Sequence, residues 1–356
     1  VVLLVFAAAF ALESGPCVRA SANSDPLAGR VCGKGARPPE GYSPPMISNG
    51  DLNMLIEWTG GMSTNEWYRL KPMVYWQGRR EPAREAKLFG FGRFNPVLEI
   101  DGKVAGTPES WAQTLDVTNA LITCEGTFAG GVRMTSEIFC ALTRNVVAIR
   151  RTVGSTDGKP HVVRLGLSYA LPDNRRMIGE WRRHDAGAQY VGTTYGQQVI
   201  DFAVTVCTAD EGTDAYETPD AWTAVLSREI TIEPGAPVVR TWFVIFADTY
   251  EAEKSPLANR VSSLVELLVS FGWKLPYEEH RLAWSRYLEA SSVRVPDAKI
   301  QRLYDVGQYH LRCDTTRWSF PVGIFPHHWQ GKYFGFDEMY VHDGLVTANH
   351  IAEARR

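Results

Sequence analysis

The chain has 356 residues, more than one hydrophobic core usually accommodates, so two domains are expected. The formal net charge is −3 and the basic residues occur in short pairs rather than in one patch, which argues against nucleic acid as a partner. The eleven tryptophans fit either contact with carbohydrate or a large all-β core.

Residues 1–12 are all apolar. A run of this length is too short to cross a bilayer and is typical of the apolar centre of a secretory signal. Small-residue cleavage sites follow at 9–11 and 20–22, although the chain starts with neither a methionine nor a basic stretch. We therefore predict that residues 1–22 are a signal peptide with a clipped start, with a buried strand as the alternative. The mature protein is expected to be secreted or periplasmic, with no membrane contact.

The six cysteines show neither a Cys-x-x-Cys motif nor the spacing of a metal site. Cys17 and Cys32 flank a short polar segment and could pair if the protein is exported. Cys140 and Cys207 lie in alternating strand patterns, which are typical of buried free thiols. Residues 23–45, rich in Gly, Pro, Ser and Asp, are predicted to form a linker.

Residues 46–250 show the period of two that is typical of β-strands. Apolar and polar residues alternate at 132–140, and the same pattern returns at 163–169 and 200–206. Asp101-Gly102 marks a hairpin turn, and Asn49-Gly50 is predicted to be a turn without a chemical role. Many short strands without helices between them predict an antiparallel β-sandwich.

The period changes to that of helices after residue 250. Ser255-Pro256 predicts the start of a first helix and Gly272 its end. Its apolar face is expected to be Leu257, Val261, Leu264, Val265 and Leu268. A second helix is expected after Pro276, with one stripe formed by His280, Trp284, Tyr287 and Leu288. Residues 251–296 are accordingly predicted to be a helical linker.

A third helix is expected after the capping residue Asp297 and opens a second domain over 297–356. Its predicted apolar face consists of Ile300, Leu303, Tyr304, Gly307 and Leu311. Residues 345–356 contain no Gly, Pro or cap and predict a helix that is still running. Because one or two helical hairpins cannot bury their apolar faces alone, we expect the chain to be a fragment of a longer protein.

The segment 317–340 surrounds two adjacent carboxylates, Asp337 and Glu338, with aromatic rings. Carboxylates accept hydrogen bonds from sugar hydroxyls, and flat rings stack on the apolar faces of pyranoses. The segment therefore predicts a carbohydrate-binding site, with an aromatic core loop as the alternative. The candidates for ring stacking are Trp318, Trp329, Tyr333 and Phe336. The histidine most suited to a sugar hydroxyl is His328.

Five of the eight histidines lie in the last 47 residues. Glu338 and His342 are four positions apart and would share one side of a helix, where they could hold a metal. The sequence has no His-Glu-x-x-His motif, so hydrogen bonding to substrate or to loop backbone is favoured. No metal and no cofactor are expected.

Two segments resemble glycoside hydrolase family 65, which contains acid trehalases, disaccharide phosphorylases and α-glucosidases. The residues that resemble the family's linker and first helix are His280-Arg-Leu-Ala-Trp284, Val293, Val295, Gln301, Tyr304 and Tyr309-His310-Leu311. Residues 331–339 resemble its motif Gly-His-x-Phe-Trp-Asp-Thr-Glu if one residue is inserted. Phe336 then takes the Trp position and Asp337 the position of the Asp that binds glucose. Glu338 and Met339 depart from the Thr and Glu of the motif.

The resemblance implies an N-terminal antiparallel β-super-sandwich, a helical linker and the start of a truncated (α/α)6 toroid of the six-hairpin glycosidase type. It also implies inverting hydrolysis of an α-glucoside or related small glycoside, with the general acid beyond Arg356. The expected substrate-binding residues are His328, Trp329, Tyr333, Phe336, Asp337 and Glu338. Export favours hydrolysis over phosphorolysis. A disaccharide phosphorylase and a non-catalytic carbohydrate-binding sandwich are the alternatives, and the oligomeric state is left open.

Overall fold

A computed structural model describes residues 29–36, 38–62, 74–79, 86–172, 177–194, 199–249, 256–317 and 335–356, with only the backbone considered at 75–79, 86–89 and 335–337. Most of this part of the chain is β-structure. The strands are β1 (Gly29–Gly33), β2 (Met46–Ser48), β3 (Leu52–Leu55), β4 (Val74–Arg79), β5 (Ala86–Ile100), β6 (Lys103–Val104), β7 (Ser110–Asp116), β8 (Leu121–Phe128), β9 (Val132–Cys140), β10 (Val146–Ser155), β11 (His161–Ala170), β12 (Met177–His184), β13 (Gly187–Thr194), β14 (Asp201–Thr208), β15 (Ala215–Asp220), β16 (Thr223–Ile232) and β17 (Val238–Asp248).

The strands form two antiparallel sheets that share one core. The nine-stranded sheet has the order β1-β7-β8-β9-β10-β17-β14-β13-β12, and the eight-stranded sheet has the order β15-β16-β11-β5-β4-β3-β2, with β6 beside β5. Alternate residues of each strand point inward, so Val147 and Ile149 of β10 share a core with Val163 and Leu165 of β11. The predicted antiparallel sandwich is confirmed.

The helices follow the sandwich in the chain. They are α1 (Leu257–Phe271), α2 (Lys274–Glu289), α3 (Ala298–Asp314), α4 (Gly335–Thr347) and α5 (Ile351–Ala354). The sequence pattern correctly predicts the end of α1 at Gly272, where φ is +59°, and its buried residues Val261, Val265 and Leu268. These side chains cover the outer face of the nine-stranded sheet, where they pack against Phe139 and Phe243. None of the described helices is both long and apolar enough to cross a membrane.

The starts of α1 and α2 differ from the prediction, whereas that of α3 agrees with it. Pro256 occupies the N-cap position of α1 without a side-chain hydrogen bond, and Ser255 lies outside the described residues. Helix α2 begins at Lys274, before Pro276, because a proline is tolerated within the first helical turn. Asp297 caps α3 as predicted, and its carboxylate accepts hydrogen bonds from the backbone N–H groups of Lys299 and Ile300.

The predicted apolar face of α3 is not its buried face. Ile300 and Leu303 are 57% and 59% exposed. The buried side chains are Gln308, Tyr309, Arg312 and Cys313. The helix presents this side to the sandwich because the polar groups find partners there: the ring of Tyr309 stacks on Trp284 with centroids 5.2 Å apart, and its hydroxyl donates to the Met46 carbonyl at 2.6 Å.

Two boundaries also differ from the sequence prediction. Residues 29–33 of the predicted linker form β1, because their backbone pairs along the free edge of β7. The continuous helix predicted over 345–356 is wrong: α4 ends at Thr347, and Asn349 has a φ of +61°. Asparagine adopts this left-handed conformation more readily than other non-glycine residues, and it therefore ends helices.

The cysteines fall into two groups. Cys32 in β1 is disulfide-bonded, whereas Cys124, Cys140, Cys207 and Cys313 are buried free thiols. Burial raises the pKa of Cys207 to about 12, which makes it unreactive at neutral pH. The prediction for Cys140 and Cys207 is thus confirmed. The pairing of Cys17 with Cys32 stays a prediction, since Cys17 lies outside the described residues.

Candidate functional site

Helices α3 and α4 pack side by side in opposite directions. Gly344 of α4 lies against α3, where a Cβ built on this glycine is 3.5 Å from Cδ1 of Leu311. Further along the chain, His350 Nε2 is 2.9 Å from Oε1 of Gln308, which is earlier in α3. Residue numbers thus rise along one helix as they fall along the other. The first turn of α4 therefore lies at the same end of the pair as the last turn of α3.

A turn of the sandwich meets the last turn of α3. Gly50, between β2 and β3, has a φ of +95°, and a Cβ at this position would lie 2.1 Å from the carbonyl oxygen of Thr315. Ser48 Oγ is 2.9 Å from the carbonyl oxygen of Cys313. Only glycine satisfies both the positive φ and the close approach, so the Asn49-Gly50 turn fixes where α3 ends.

Asp51, the residue after Gly50, contacts the chain just beyond the end of α3, at Arg317. Its buried carboxylate accepts a hydrogen bond from the backbone N–H of Arg317 at 3.3 Å and forms an ion pair with the guanidinium group of Arg317. The sandwich thereby holds Arg317, the first residue of the predicted carbohydrate-binding segment 317–340.

Asn49 anchors this turn to a neighbouring loop. Its Oδ1 accepts hydrogen bonds from the backbone N–H groups of Asp51 and Leu52 at 3.0 and 2.8 Å. Its Nδ2 donates to the carbonyl oxygen of Arg144 and to Oδ1 of Asn145, both at 3.0 Å. The turn predicted at Asn49-Gly50 is therefore present and is held rigidly from two sides.

Helix α2 holds the loop that Asn49 contacts. Glu279 forms two hydrogen bonds of 2.9 Å with the guanidinium group of Arg144. The next residue, His280, accepts a hydrogen bond from the Leu142 N–H at Nδ1 and donates from Nε2 to the carbonyl oxygen of Asn119 at 2.9 Å. Burial lowers the pKa of His280 to about 4, so the ring is neutral at pH 7 and acts as a structural connector.

Three of the predicted sugar-binding residues lie in the first turn of α4: Phe336, Asp337 and Glu338. The structure describes the side chain of Glu338 alone among them. Its Oε1 is buried and has no hydrogen-bond partner among the residues that the structure describes, and burial raises the pKa of this carboxyl group. A buried acceptor without a donor suits a site that binds hydroxyl groups. His328, Trp329 and Tyr333, together with Trp318, lie outside the described residues.

Asp314 is a carboxyl group that the sequence analysis did not identify. It is the last residue of α3, and its carboxylate has no hydrogen bond or ion pair within the described part of the chain. Burial raises its pKa to about 7, and the negative end of the helix dipole also disfavours its charge. At neutral pH Asp314 can therefore either donate or accept a hydrogen bond. No motif marks this residue, because its properties follow from burial alone.

Two histidines lie near this junction: His350 is packed in the interior, and His342 faces solvent. His350 is buried and stacks on Tyr287 with ring centroids 3.7 Å apart. His342 is exposed, and its Nδ1 lies 3.9 Å from a carboxylate oxygen of the adjacent Asp343. Within the ranges that the structure describes, no three His, Cys, Asp or Glu side chains converge as metal ligands.

No family model and no curated protein matches the sequence. Among solved structures, a proposed kojibiose phosphorylase from the human microbiome matches with a TM-score of 0.66 and 10% identity over 85% of this chain and 44% of that one. A bacterial glucoamylase complexed with acarbose matches with a TM-score of 0.55 and 11% identity over 92% of this chain and 52% of that one.

The chain thus spans about half the length of the two structures it resembles. At these identities the likeness shows a shared fold alone. The β-sandwich that the family 65 resemblance implies is shared with these structures, and a few helices follow it in the chain.

Proposed function

We propose that this protein is an exported inverting glycoside hydrolase that acts on an α-glucoside or a related small glycoside. The observation that carries the proposal is the antiparallel packing of α3 and α4, with the end of α3 held by the Asn49-Gly50 turn. It supports a site at the end of the helix pair where Asp314 ends α3 and where α4 begins with Phe336, Asp337 and Glu338. A glucoamylase complexed with acarbose and a proposed kojibiose phosphorylase share the fold, which supports a carbohydrate substrate.

In this proposal the junction binds the sugar. Asp337 accepts hydrogen bonds from glucose hydroxyls, and Phe336 supplies a flat ring beside it. Glu338, with its buried and unpartnered Oε1, accepts a further hydroxyl. His328, Trp329 and Tyr333 complete the site from the preceding segment, through a hydrogen bond from the histidine and ring stacking by the other two.

Asp337 and Glu338 are assigned to binding rather than to proton transfer. Consecutive residues of a helix project about 100° apart, so these two carboxylates do not face each other across a bound sugar. An inverting enzyme needs two carboxyl groups about 6.5–9.5 Å apart, with the attacking water between them. We infer that α3 and α4 form the first hairpin of an (α/α)6 toroid and that a later hairpin supplies the general acid.

Export is the second part of the proposal. The disulfide bond of Cys32 supports it, because disulfides persist mainly in oxidising compartments. A phosphorylase benefits from retaining its sugar phosphate inside the cell, and this benefit is lost outside. Export therefore favours water over phosphate as the nucleophile.

A disaccharide phosphorylase is the second candidate, and the match to a proposed kojibiose phosphorylase favours it. The test is to incubate the full-length protein with α-linked disaccharides, with and without phosphate, and to follow the products by NMR. Phosphate-independent release of β-glucose is expected for inverting hydrolysis. A sugar phosphate formed only with phosphate would establish the phosphorylase instead. Sugar binding without turnover would identify a non-catalytic binding module.

A further inference from the structure

Strand β12 forms one end of the nine-stranded sheet, and among the described strands it pairs with β13 alone. The backbone N–H and C=O groups on its other side therefore face no neighbouring strand of the described sheet, which makes them a template for a further strand. β12 has eight residues, whereas the other three strands that end the two sheets, β1, β2 and β15, have five, three and six. It thus offers the longest edge of the described sandwich.

The outer face of β12 is open to solvent. The side chains of Glu180 and Arg182 are 64% and 67% exposed, and Ile178 is 61% exposed. Side chains alternate along a strand, so these three residues project from the same face. On the opposite face Trp181 packs against the core, where its ring centroid is 6.1 Å from that of Tyr169. A further strand can therefore join this edge without displacing packed side chains.

The next longest end strand, β15, is unsuited to pairing with a copy of itself. It contains Pro219, which lacks a backbone N–H, and its charged residues, Glu217 and Asp220, are both acidic. The outer face of β12 instead carries charges of both signs, Glu180 and Arg182, two positions apart. Within one chain these two exposed side chains contact each other, and such surface pairs are weak enough to exchange partners.

The charge pattern of β12 is complementary to itself in one register. When a second copy of β12 runs antiparallel with Trp181 opposite Trp181, each Glu180 lies opposite Arg182 of the other copy. A slip of two residues is the smallest that keeps the outer faces on one side. Such a slip places Glu180 opposite Glu180 in one direction and Arg182 opposite Arg182 in the other. Like charges therefore oppose both neighbouring registers.

We propose that β12 is a dimerisation edge, at which two copies of this chain join their nine-stranded sheets across a two-fold axis at Trp181. The contact is isologous, because each copy contributes the same strand. It occupies the β12 edge of both copies, so it forms a closed dimer and leaves no second β12 edge for a third copy. The proposal is independent of the proposed hydrolase reaction.

The first test is sedimentation velocity of the full-length protein from low to high micromolar concentration. The wild type is expected to form dimers as its concentration rises. Arg182→Glu sets two carboxylates against each other at both ends of the paired strands, and Glu180→Arg does the same with guanidinium groups. Each variant is expected to weaken dimerisation by about tenfold or more. An equimolar mixture of the two variants is expected to restore dimers, because each mixed dimer again has two pairs of opposite charges.

Arg183→Glu is the matched control. It makes the same change of charge on the same strand, but Arg183 lies opposite the uncharged Gly179 in the proposed register, so dimerisation is expected to be unchanged. A wild type that is monomeric at every concentration would overturn the proposal. Equal dimerisation of the wild type and both single variants would overturn it too, as would a mixture that dimerises no better than either variant alone.

The second test uses the wild type alone and needs no variant to fold. Backbone amide hydrogen exchange, followed by mass spectrometry, is compared at low and high protein concentration. Amides of β12 are expected to exchange more slowly in the dimer, whereas those of β1, the opposite end of the same sheet, should be unaffected. Dimers that form without added protection in β12 would place the interface elsewhere and refute the proposal.

Discussion

The carboxylate of Asp51 accepts hydrogen bonds from both the backbone and the guanidinium group of Arg317, which lies 266 positions further along the chain. One buried side chain of the sandwich thus holds the residue at which α3 gives way to the predicted sugar-binding segment. In a site of this kind, small displacements of binding groups reduce catalysis strongly. The sandwich therefore contributes to the candidate site by positioning it.

Asp337→Ala in the full-length enzyme is expected to lower kcat/KM on every hydrolysed glycoside by about 10- to 100-fold, the effect of losing a charged hydrogen bond of about 1.5–3 kcal/mol. Steady-state kinetics on the disaccharide panel measure it. Asp343→Ala is the matched control, because Asp343 lies on the same helix and its side chain is 69% exposed. Unchanged turnover in Asp337→Ala would remove this residue from the site.

Asp314→Asn is expected to stabilise the protein above pH 7 relative to the wild type. The folded-state pKa of about 7 exceeds the ordinary value of 3.8, so the native state loses stability as pH rises from about 4 to 7. The amide removes this loss, which we expect to be roughly 2–4 kcal/mol at pH 8. Urea unfolding at pH 5 and pH 8 measures it. If the unfolding free energies of the wild type and the variant depend equally on pH, the folded-state pKa of Asp314 is not raised.

Gly50→Ala is expected to destabilise the protein by more than about 2 kcal/mol, because both the positive φ and the contact with Thr315 oppose a Cβ. Gly235→Ala separates the two causes. Gly235 has a φ of +74° with nothing within 4 Å of its Cβ position, so its variant reports the backbone cost alone. Similar losses of unfolding free energy in both variants would show that the Thr315 contact has little energetic effect.

Because His280 is buried as a neutral ring, we expect the protein to lose stability on acidification. Its folded-state pKa of about 4 lies below the ordinary 6.5, so stability falls as pH drops from about 6.5 to 4, by about 3 kcal/mol in total. The unfolding free energy of the wild type should therefore approach that of His280→Gln as the pH falls. A constant difference between the two proteins across this range would contradict a neutral buried ring.

His161 is expected to change stability with pH in the opposite direction from His280. Its ring lies between Asp101 and Asp157, at 2.8 and 3.0 Å, and hydrogen bonds to these carboxylates raise its pKa. Its stabilising contribution is fully present below pH 6.5 and is lost as pH rises through the higher folded-state pKa. NMR titration of the His161 ring measures the pKa directly, and Asp101→Asn should lower it. A ring pKa at or below 6.5 in the wild type would be inconsistent with this arrangement.

The sandwich and α1 could be predicted from the sequence because their signals are local: alternation within strands, a period of 3.6, and Gly272 at a helix end. The buried face of α3 could not, since Gln308 and Arg312 are polar: Gln308 is paired with His350, 42 positions further along the chain, and Arg312 donates to the carbonyl oxygen of Thr315 just beyond the helix. The aromatic segment with Asp337 and Glu338 was visible as a motif. Asp314 was not, because its raised pKa follows from the packing around the end of α3, which no motif in the sequence marks.

The contact between Ser48 and Cys313 joins residues 265 positions apart, and this separation orders events during synthesis. At about 5–20 residues per second, the ribosome needs roughly 13 to 53 s to reach Cys313 after making Ser48. The strands between them leave the ribosome in that interval and pair locally. We therefore expect the Asn49-Gly50 turn to form before the end of α3 is synthesised, so that α3 docks on a sandwich that is already folded.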